Sequence, residues 1–256
     1  MPCPAIAGRR LSRALATGML VLVWWGLGCH LLAGRRAPRG VRNDQGFDLY
    51  DDQFRVPQKS RRTLYTERRA QEVSDPAIAW LEQHRAEPFF LFVHYFDPHQ
   101  LYKPPEPFAS RYASDPYADG IAYTDSHVGR VVGALERLGL YDSTLLVITA
   151  DHGQALGAHG EETHGFFVYQ GTIRVPLIVR APDGARGITV DEPVSLVDIV
   201  PTVPGLKDTP APAGLEGHDL SDLVLGRGAR HEPTRRMSPS SRSRRRPSAA
   251  APCTAC

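Results

Sequence analysis

The stretch Ser143-Thr-Leu-Leu-Val-Ile-Thr149, which continues directly into Ala150-Asp-His-Gly153, gives the clearest indication of the fold. Its apolar run is long enough for a strand and too short for an independent helix. An uninterrupted apolar run is typical of a strand that is buried on both faces, as in a sheet covered by helices. The carboxylate and the imidazole that follow then lie at the carboxyl end of a strand, where open α/β sheets bind ligands.

Two further apolar runs, at residues 89–95 and 175–180, predict two more strands, the first of them buried on both faces. Helices are predicted between and beyond these strands. Residues 74–82 begin with a serine that can act as an N-cap, residues 123–140 carry an apolar helical face, and a short helix opens at Ser195. Strands that alternate with helices predict an α/β fold with a mostly parallel sheet flanked by helices.

The charge distribution divides the chain into three parts. The net charge is +2 over 256 residues, but residues 1–42 carry seven arginines and no acid, and residues 226–256 carry eight arginines and one acid. Residues 43–225 therefore hold an excess of twelve negative charges. An acidic domain argues against nucleic-acid binding, because phosphates require neutralisation by Lys or Arg. The Arg/Ser/Pro-rich segment from residue 226 onward is predicted to be disordered.

The first part of the chain predicts targeting to the cell envelope. Residues 14–34 are apolar apart from His30 and are flanked by arginines on both sides. A basic segment before an apolar run is typical of a secretory signal, about 20 apolar residues can also span a membrane, and Gly28-Cys29 allows a lipoprotein signal. Residues 1–42 are therefore interpreted as a signal or a membrane anchor, with a buried helix as the alternative.

Polar side chains follow the first two predicted strands. Asp151 suits a divalent-cation ligand, and the adjacent His152 can add a nitrogen ligand or bind an anion. His99 lies in a proline-rich loop after the first strand, and His164 lies in a glycine-rich loop after the second, where a histidine can donate to an oxyanion. Each pattern has a structural alternative, since a loop aspartate often caps the next turn and His94, inside the first strand, is equally compatible with a core position.

Five segments of the chain have a recognisable order and spacing. They are Gln45-Gly-Phe-Asp-Leu-Tyr-Asp-Asp52, Pro88-Phe-Phe-Leu-Phe-Val-His-Tyr-Phe-Asp-Pro-His99, Tyr117-Ala-Asp-Gly-Ile-Ala-Tyr-Thr-Asp125, Leu140-Tyr-Asp-Ser-Thr-Leu-Leu-Val-Ile-Thr-Ala-Asp-His-Gly153, and Gly165-Phe-Phe-Val-Tyr169 through Ile173-Arg-Val-Pro-Leu-Ile178. In this order they resemble the C-terminal portion of the catalytic domain in the sulfatase family of the alkaline-phosphatase superfamily. The resemblance covers residues 43–225, and five collinear segments make it more specific than any single motif.

The resemblance implies a set of site residues and a cofactor. Asp151 and His152 match the family's second pair of metal ligands, which usually bind calcium. His99 matches the catalytic histidine that contacts the sulfate ester and its leaving group, and His164 lies near the position of a sulfate-binding Lys or His. The expected substrate is a sulfated small molecule or glycan, which the family hydrolyses with a formylglycine nucleophile.

The sequence departs from the family pattern at this nucleophile. No Cys or Ser is followed by x-Pro-x-Arg, the signature that is matured to formylglycine, and residues 34–42 carry no acid where two further metal ligands are expected. We therefore predict that the N-terminal part of the domain is missing, that one edge of the sheet is left open and apolar, and that the chain is inactive alone. The alternatives are a non-catalytic protein that binds an anion or a cation, and a phosphoester hydrolase or phosphoglycerol transferase of the same superfamily.

Overall fold

A computed structural model describes seven parts of the chain. They are residues 19–24, 31–34, 47–51, 68–99, 102–112, 114–164 and 167–227, of which the first two are described by their backbone alone. The predicted disorder of the tail falls on residues 226–256, and all of this segment beyond Arg227 lies outside the described residues. Residues 1–18 lie outside them as well.

The described residues form a sheet of six strands in the order β3-β2-β4-β1-β5-β6. The strands are β1 (Met19–Trp24), β2 (Leu31–Gly34), β3 (Asp48–Asp51), β4 (Phe90–Tyr95), β5 (Leu145–Ala150) and β6 (Leu177–Arg180). The three central strands, β4, β1 and β5, are parallel, whereas β2, β3 and β6 pair antiparallel with their neighbours. The prediction of an α/β fold is confirmed, with parallel pairing confined to the centre of the sheet.

The antiparallel direction of β6 follows from the connection that precedes it. Between the end of β5 and the start of β6, the described residues form a 3-10 turn at Ala158–Gly160 and the four-residue helix α3 (Gln170–Ile173) and no longer helix. A parallel neighbour requires a crossover that carries the chain back along the sheet, usually within a helix. Here the chain stays at the carboxyl end of β5 and enters β6 from that end, so the two strands run in opposite directions.

The centre of the sheet differs most from the sequence-based expectation. We expected the N-terminal strand to be missing, but Met19–Trp24 pairs with β4 on one side and with β5 on the other, over six residues each. An apolar run without charge meets the demands of a buried parallel strand as well as those of a signal or anchor. No helix among the described residues is long and apolar enough to span a membrane. The assignment of residues 1–42 as a signal or anchor stays a prediction.

Helix α1 spans Ala70–His84 and begins four residues before the predicted N-cap at Ser74. It runs through Pro76, which has no N–H to donate to the carbonyl oxygen of Glu72. The guanidinium of Arg68 donates to that oxygen instead, at 2.6 Å. The predicted start at Ser74 was wrong because this side chain supplies the hydrogen bond that proline lacks.

Ser74 has a different role from the predicted cap. It is fully buried inside α1, and its hydroxyl lies 2.8 Å from the hydroxyl of Tyr95 in β4. Burial raises the pKa of the Tyr95 phenol, so this hydroxyl stays protonated. A buried hydroxyl requires a hydrogen-bond partner, and this pair connects the helix to the sheet.

Helix α2 spans Pro116–Arg137, seven residues longer at its start than predicted. Its N-cap is Asp115, whose carboxylate accepts from the backbone N–H of Ala118 at 3.0 Å, and proline occupies the first helical position. The helix ends in a Schellman motif, in which Gly139 has φ 70° and Leu140 N donates to the Leu135 carbonyl at 2.8 Å.

Helices α1 and α2 pack on one face of the sheet and enclose the main core. Leu91, Val93 and Tyr95 of β4 are fully buried beneath them. The alternate residues of β4 point to the other face and are only half-buried, which corrects the prediction that this strand is buried on both faces. That second face packs against α4 (Ile199–Leu206) and the short α5 (Ser221–Val224) in a smaller core.

Candidate functional site

Two loops leave the sheet at the carboxyl ends of β4 and β5 and form the candidate site. The first loop turns immediately after β4, where the backbone N–H of His99 donates to the Phe96 carbonyl at 2.8 Å. The imidazole of His99 stacks on the ring of Phe96, with 4.5 Å between the ring centroids and 21° between their planes. The turn and the stacked ring together fix the direction in which this imidazole points.

The second loop begins with Asp151, His152 and Gly153. A side chain at residue 153 would overlap the carbonyl oxygen of Gly171 in α3, so only glycine fits at this position. Gly153 also donates its N–H to the Thr172 carbonyl at 2.8 Å. Helix α3 therefore serves as a support that holds the start of the second loop against the sheet.

Residues 154–164 form a loop whose two ends lie side by side. Ala155 N donates to the Thr163 carbonyl at 2.8 Å, and Gly157 N donates to the Glu161 carbonyl at 2.9 Å. Gly157 has φ 88°, which allows the reversal. These hydrogen bonds bring His164 back to His152, although twelve positions separate the two residues in the chain.

His99, His152 and His164 meet at the edge of the sheet, and we call them the histidine cluster. The rings of His152 and His164 stack with their centroids 3.9 Å apart. The ring of His99 stands edge-on to both, with its centroid 5.1 Å from that of His164 and 6.5 Å from that of His152. Sequence reasoning placed these three histidines after strand ends on the same side, and the structure brings them together.

The hydrogen bonds of two cluster members define which ring nitrogen carries a proton. His152 Nδ1 lies 3.0 Å from the Gly153 carbonyl oxygen, and His164 Nδ1 lies 3.0 Å from Gln154 Oε1. Both partners are acceptors, so each Nδ1 donates a proton. His164 Nε2 is then an acceptor when the ring is neutral and a donor when it is protonated, and His152 Nε2 lies 3.8 Å from Asp151 Oδ1.

Burial and neighbouring charge lower the pKa of His164. Desolvation is the largest cause, followed by repulsion from His152 and from His99, and the carboxylate of Glu161 acts weakly in the opposite direction. Burial raises the pKa of Asp151, against the opposing effects of His152 and of backbone N–H groups. A negatively charged ligand among the rings would favour their protonated forms, since opposite charges close together stabilise the ionised state.

Asp151 and His152, the predicted metal ligands, are not joined among the described residues by a third His, Cys, Asp or Glu that could hold a metal ion with them. Asp151 Oδ1 accepts from the backbone N–H of His152 at 2.9 Å and lies 3.8 Å from Nε2 of the same residue. Calcium takes about six to eight oxygen ligands, but no group of three or more His, Cys, Asp or Glu among the described residues could hold a metal ion. The ligand roles of Asp151 and His152 stay predictions.

His94 and Gln154 are two further polar residues on the segments that carry the histidine cluster. His94 of β4 is half-buried, with its ring centroid 6.2 Å from that of Phe92, and belongs to the second face of the sheet. Gln154 is buried beside His164, and sequence reasoning missed it. The sequence contains little indication of a role for Gln154. It lies two residues after His152, in a loop whose other polar residues include the exposed Asp151 and Glu162.

The protein family is established by comparison with known proteins. The family model described as Sulfatase matches residues 33–208. Over 175 residues the chain is 36% identical to the steryl-sulfatase of Mus musculus, a match that covers 62% of this chain and 28% of that protein. Over 111 residues it is 36% identical to the ulvan-active sulfatase of Formosa agariphila, covering 42% of this chain and 22% of that protein. The chain belongs to the sulfatase family.

A comparison with solved structures supports the fold. The chain is similar to the phosphonate monoester hydrolase of Agrobacterium radiobacter, with a TM-score of 0.62 and 20% identity over 91% of this chain and 63% of that chain. At this identity the likeness concerns the fold alone. The matches to the two sulfatases span less than a third of their lengths, so the activity of a whole sulfatase comes to this chain only as a proposal.

Proposed function

We propose that this chain binds the sulfate group of a sulfate ester at the histidine cluster and does not hydrolyse the ester by itself. The observation that carries the proposal is the convergence of His99, His152 and His164 at one edge of the sheet. Imidazole N–H groups are suitable donors to the oxygens of a tetrahedral anion, and charge-assisted hydrogen bonds are the stronger ones.

Each cluster member has a separate task in this proposal. His164, when protonated, donates from Nε2 to a sulfate oxygen, because its Nδ1–H is engaged with Gln154, and protonated His152 stacked on it adds positive charge. His99, held against Phe96, faces the ester oxygen and donates a hydrogen bond to it. The ring of Phe96 excludes water from one side of this imidazole, which strengthens its interaction with charge.

The absence of turnover follows from the missing nucleophile. Sulfate ester hydrolysis in the family proceeds through attack on sulfur by a formylglycine hydrate, and no Cys/Ser-x-Pro-x-Arg occurs in these 256 residues. A family member with an anion site and without this nucleophile is a non-catalytic binding protein, as proposed here. A phosphoester is the alternative ligand, since phosphate and sulfate monoesters share their tetrahedral shape.

We propose the cell envelope as the location and a sulfated small molecule or glycan as the ligand class. The location is supported by the sequence pattern alone, the apolar residues 14–34 and the arginines around them, whereas Met19–Trp24 in its place between β4 and β5 is part of the folded domain. The ligand class is supported by the substrates named in two relatives, a steryl-sulfatase and an ulvan-active sulfatase. The divalent cation that sulfatases generally use is not assigned a step, because the described residues do not supply enough ligands for it.

Calorimetry with the full chain tests the binding proposal. The chain is titrated with 4-nitrophenyl sulfate, and in parallel with 4-nitrophenyl phosphate, in a buffer free of both anions. We expect His99→Ala and His164→Ala each to weaken binding about ten- to a hundredfold, the range for a hydrogen bond to a charged group. His84→Ala is the matched control, because this histidine stacks on Trp80 in α1, away from the cluster.

The same protein serves for the activity measurement. We expect no release of 4-nitrophenol from 4-nitrophenyl sulfate above a blank without protein. Turnover that Asp151→Ala abolishes would contradict the proposal, since it would require a nucleophile other than formylglycine. Tighter binding of the phosphate ester than of the sulfate ester would favour the phosphoester alternative instead.

A further inference from the structure

Gln154 is a buried polar side chain at the histidine cluster that the proposed function leaves unexplained. It is 7% exposed, and its Oε1 lies 3.0 Å from Nδ1 of His164. Its Nε2 is buried as well and has no hydrogen-bond partner among the described residues. Both atoms belong to one amide group, so this unsatisfied donor lies directly beside the His164 ring.

An unsatisfied buried amide is costly and therefore indicates a missing partner. Leaving a buried donor without an acceptor is unfavourable, and most buried polar groups in proteins have a partner. The amide oxygen of Gln154 is already engaged with Nδ1 of His164, a member of the histidine cluster. An oxygen atom of a ligand bound among the rings is the acceptor that the position requires.

We propose that Gln154 is an anion-binding residue of this site, which holds the Nδ1–H of His164 with its oxygen and donates from Nε2 to an oxygen of the bound sulfate. This inference rests on the proposed function, because the sulfate group is the acceptor. One residue then does two things: it fixes the tautomer of a neighbouring donor and supplies a neutral donor of its own. A neutral donor adds a directional contact without adding repulsion among the three imidazoles.

The backbone around Gln154 supports this role because it fixes where the side chain begins. The preceding Gly153 lies against Gly171 so closely that no side chain fits between them. The carbonyl oxygen of Gln154 itself lies near Gly171, where an added Cβ would meet it at 3.4 Å. Ala155, which follows, is tied to Thr163 by a hydrogen bond of 2.8 Å. The side-chain hydrogen bond from His164 to Gln154 thus joins the two ends of a loop whose backbone is already held there.

The tautomer of His164 tests the first half of the proposal without any ligand or activity. The full chain is labelled with ¹⁵N histidine, and the two ring nitrogens of His164 are assigned through their couplings to the ring protons. We expect the proton of neutral His164 on Nδ1 in the wild type and in Gln154→Glu, which keeps the acceptor. In Gln154→Met we expect a mixture of tautomers. Gln170→Met, at an exposed glutamine of the neighbouring α3, is the matched control and should resemble the wild type.

The affinity for inorganic sulfate tests the second half. We expect Gln154→Met to weaken sulfate binding about tenfold, as for the loss of one hydrogen bond to a charged partner. Gln154→Glu should weaken it further, because a carboxylate replaces the donor and repels the anion. Gln170→Met should bind as the wild type does. The two variants at residue 154 therefore separate the contact to His164 from the contact to sulfate.

Each result decides between the inference and the function on which it rests. A wild type that binds sulfate, with equal affinity in Gln154→Met and Gln170→Met, overturns the inference and leaves the proposed function standing. A wild type with its His164 proton on Nε2 also overturns the inference, even if a variant at residue 154 fails to fold. A wild type that binds no sulfate overturns the proposed function and the anion contact of Gln154 together.

Discussion

The two faces of the sheet differ along strand β4 in how completely they are covered. Its residues Leu91 and Val93 are fully buried under α1 and α2, whereas Phe90 and Phe92 on the opposite face are only half-buried. Hydrophobic stabilisation scales with the apolar area removed from water. In β4 the face under α1 and α2, which we call the helix-covered face, therefore contributes more to stability per side chain than the opposite face of the same strand.

The second face has a small packing defect where helices cover it. An apolar cavity of about 20 Å³, room for about one water molecule, lies between β5, β6 and the helices α4 and α5. Its walls include Val147, Val179, Val203 and Leu206. Interiors of proteins are close-packed, so a void of this size is a local defect in the smaller core. The candidate site lies at the end of the sheet, beyond the carboxyl ends of β4 and β5.

The largest expected effect comes from the same kind of truncation on the two faces of β4. We expect Leu91→Ala to lower the free energy of unfolding by about 2–5 kcal/mol, the range for a fully buried leucine. Phe92→Ala removes a larger side chain but from a half-buried position, so we expect a loss of about 1–2 kcal/mol. Urea unfolding of both variants measures the difference. Equal losses would break the comparison between the faces.

A smaller effect is expected at the start of α1 on the helix-covered face. Arg68→Leu removes the donor to the Glu72 carbonyl and the 3.2 Å ion pair with Asp51. We expect a loss of about 1–3 kcal/mol, because a helix carbonyl opposite Pro76 loses its partner. Arg137→Leu is the control, since its ion pair with Glu82 is exposed and should be worth less than about 1 kcal/mol. Similar losses in the two variants would mean that the hydrogen bond from Arg68 to the Glu72 carbonyl does not stabilise the helix at Pro76.

Acidification should weaken the helix-covered face through His127 of α2. Burial lowers the pKa of His127 below its ordinary 6.5, with a further contribution from Arg130 and an opposing one from Asp75. The unfolded chain therefore binds the proton more readily, and the stability that this residue contributes is present above pH 6.5 and is lost as the pH falls through 6.5 towards the lowered value. Urea midpoints at pH 7.5 and 5.5 should differ less in His127→Gln than in the wild type. An unchanged difference would assign the acid sensitivity to other groups, such as His164.

The smallest effect is expected at two glycines, Gly129 within α2 and Gly139 just after its end. Gly129 is exposed, and an added Cβ would meet no atom within 4 Å, so Gly129→Ala should stabilise the helix by about 0.5–1 kcal/mol. Gly139→Ala should have the opposite sign, because this residue ends the helix with φ 70°. Thermal unfolding of the two variants gives both signs in one measurement. Stabilisation by both would show that the helix end is not fixed by its Schellman motif.

The strands and the site loops were largely predictable from the sequence. Runs of apolar residues placed strands at 89–95, 143–149 and 175–180, and the structure has them at Phe90–Tyr95, Leu145–Ala150 and Leu177–Arg180. Such runs are local, and burial of a short apolar segment leaves few alternatives to a strand. The helix starts were less predictable. Helix α1 begins before Ser74 because the side chain of Arg68 donates to the Glu72 carbonyl, which Pro76 cannot do. Arg68 precedes the helix, so the apolar periodicity within the helix does not reveal this contact.

The sequence by itself determined the α/β class, the family resemblance and the positions of His99, Asp151, His152 and His164 at strand ends, because all of these depend on residue order and on short-range patterns. Only the tertiary structure decided that Met19–Trp24 lies between β4 and β5, and that Gln154 contacts His164. An apolar run carries no information about which strands will flank it. A side-chain hydrogen bond across ten residues depends on how the loop closes, and that closure is fixed by backbone hydrogen bonds within the loop, such as that from Ala155 to Thr163, which no local pattern records.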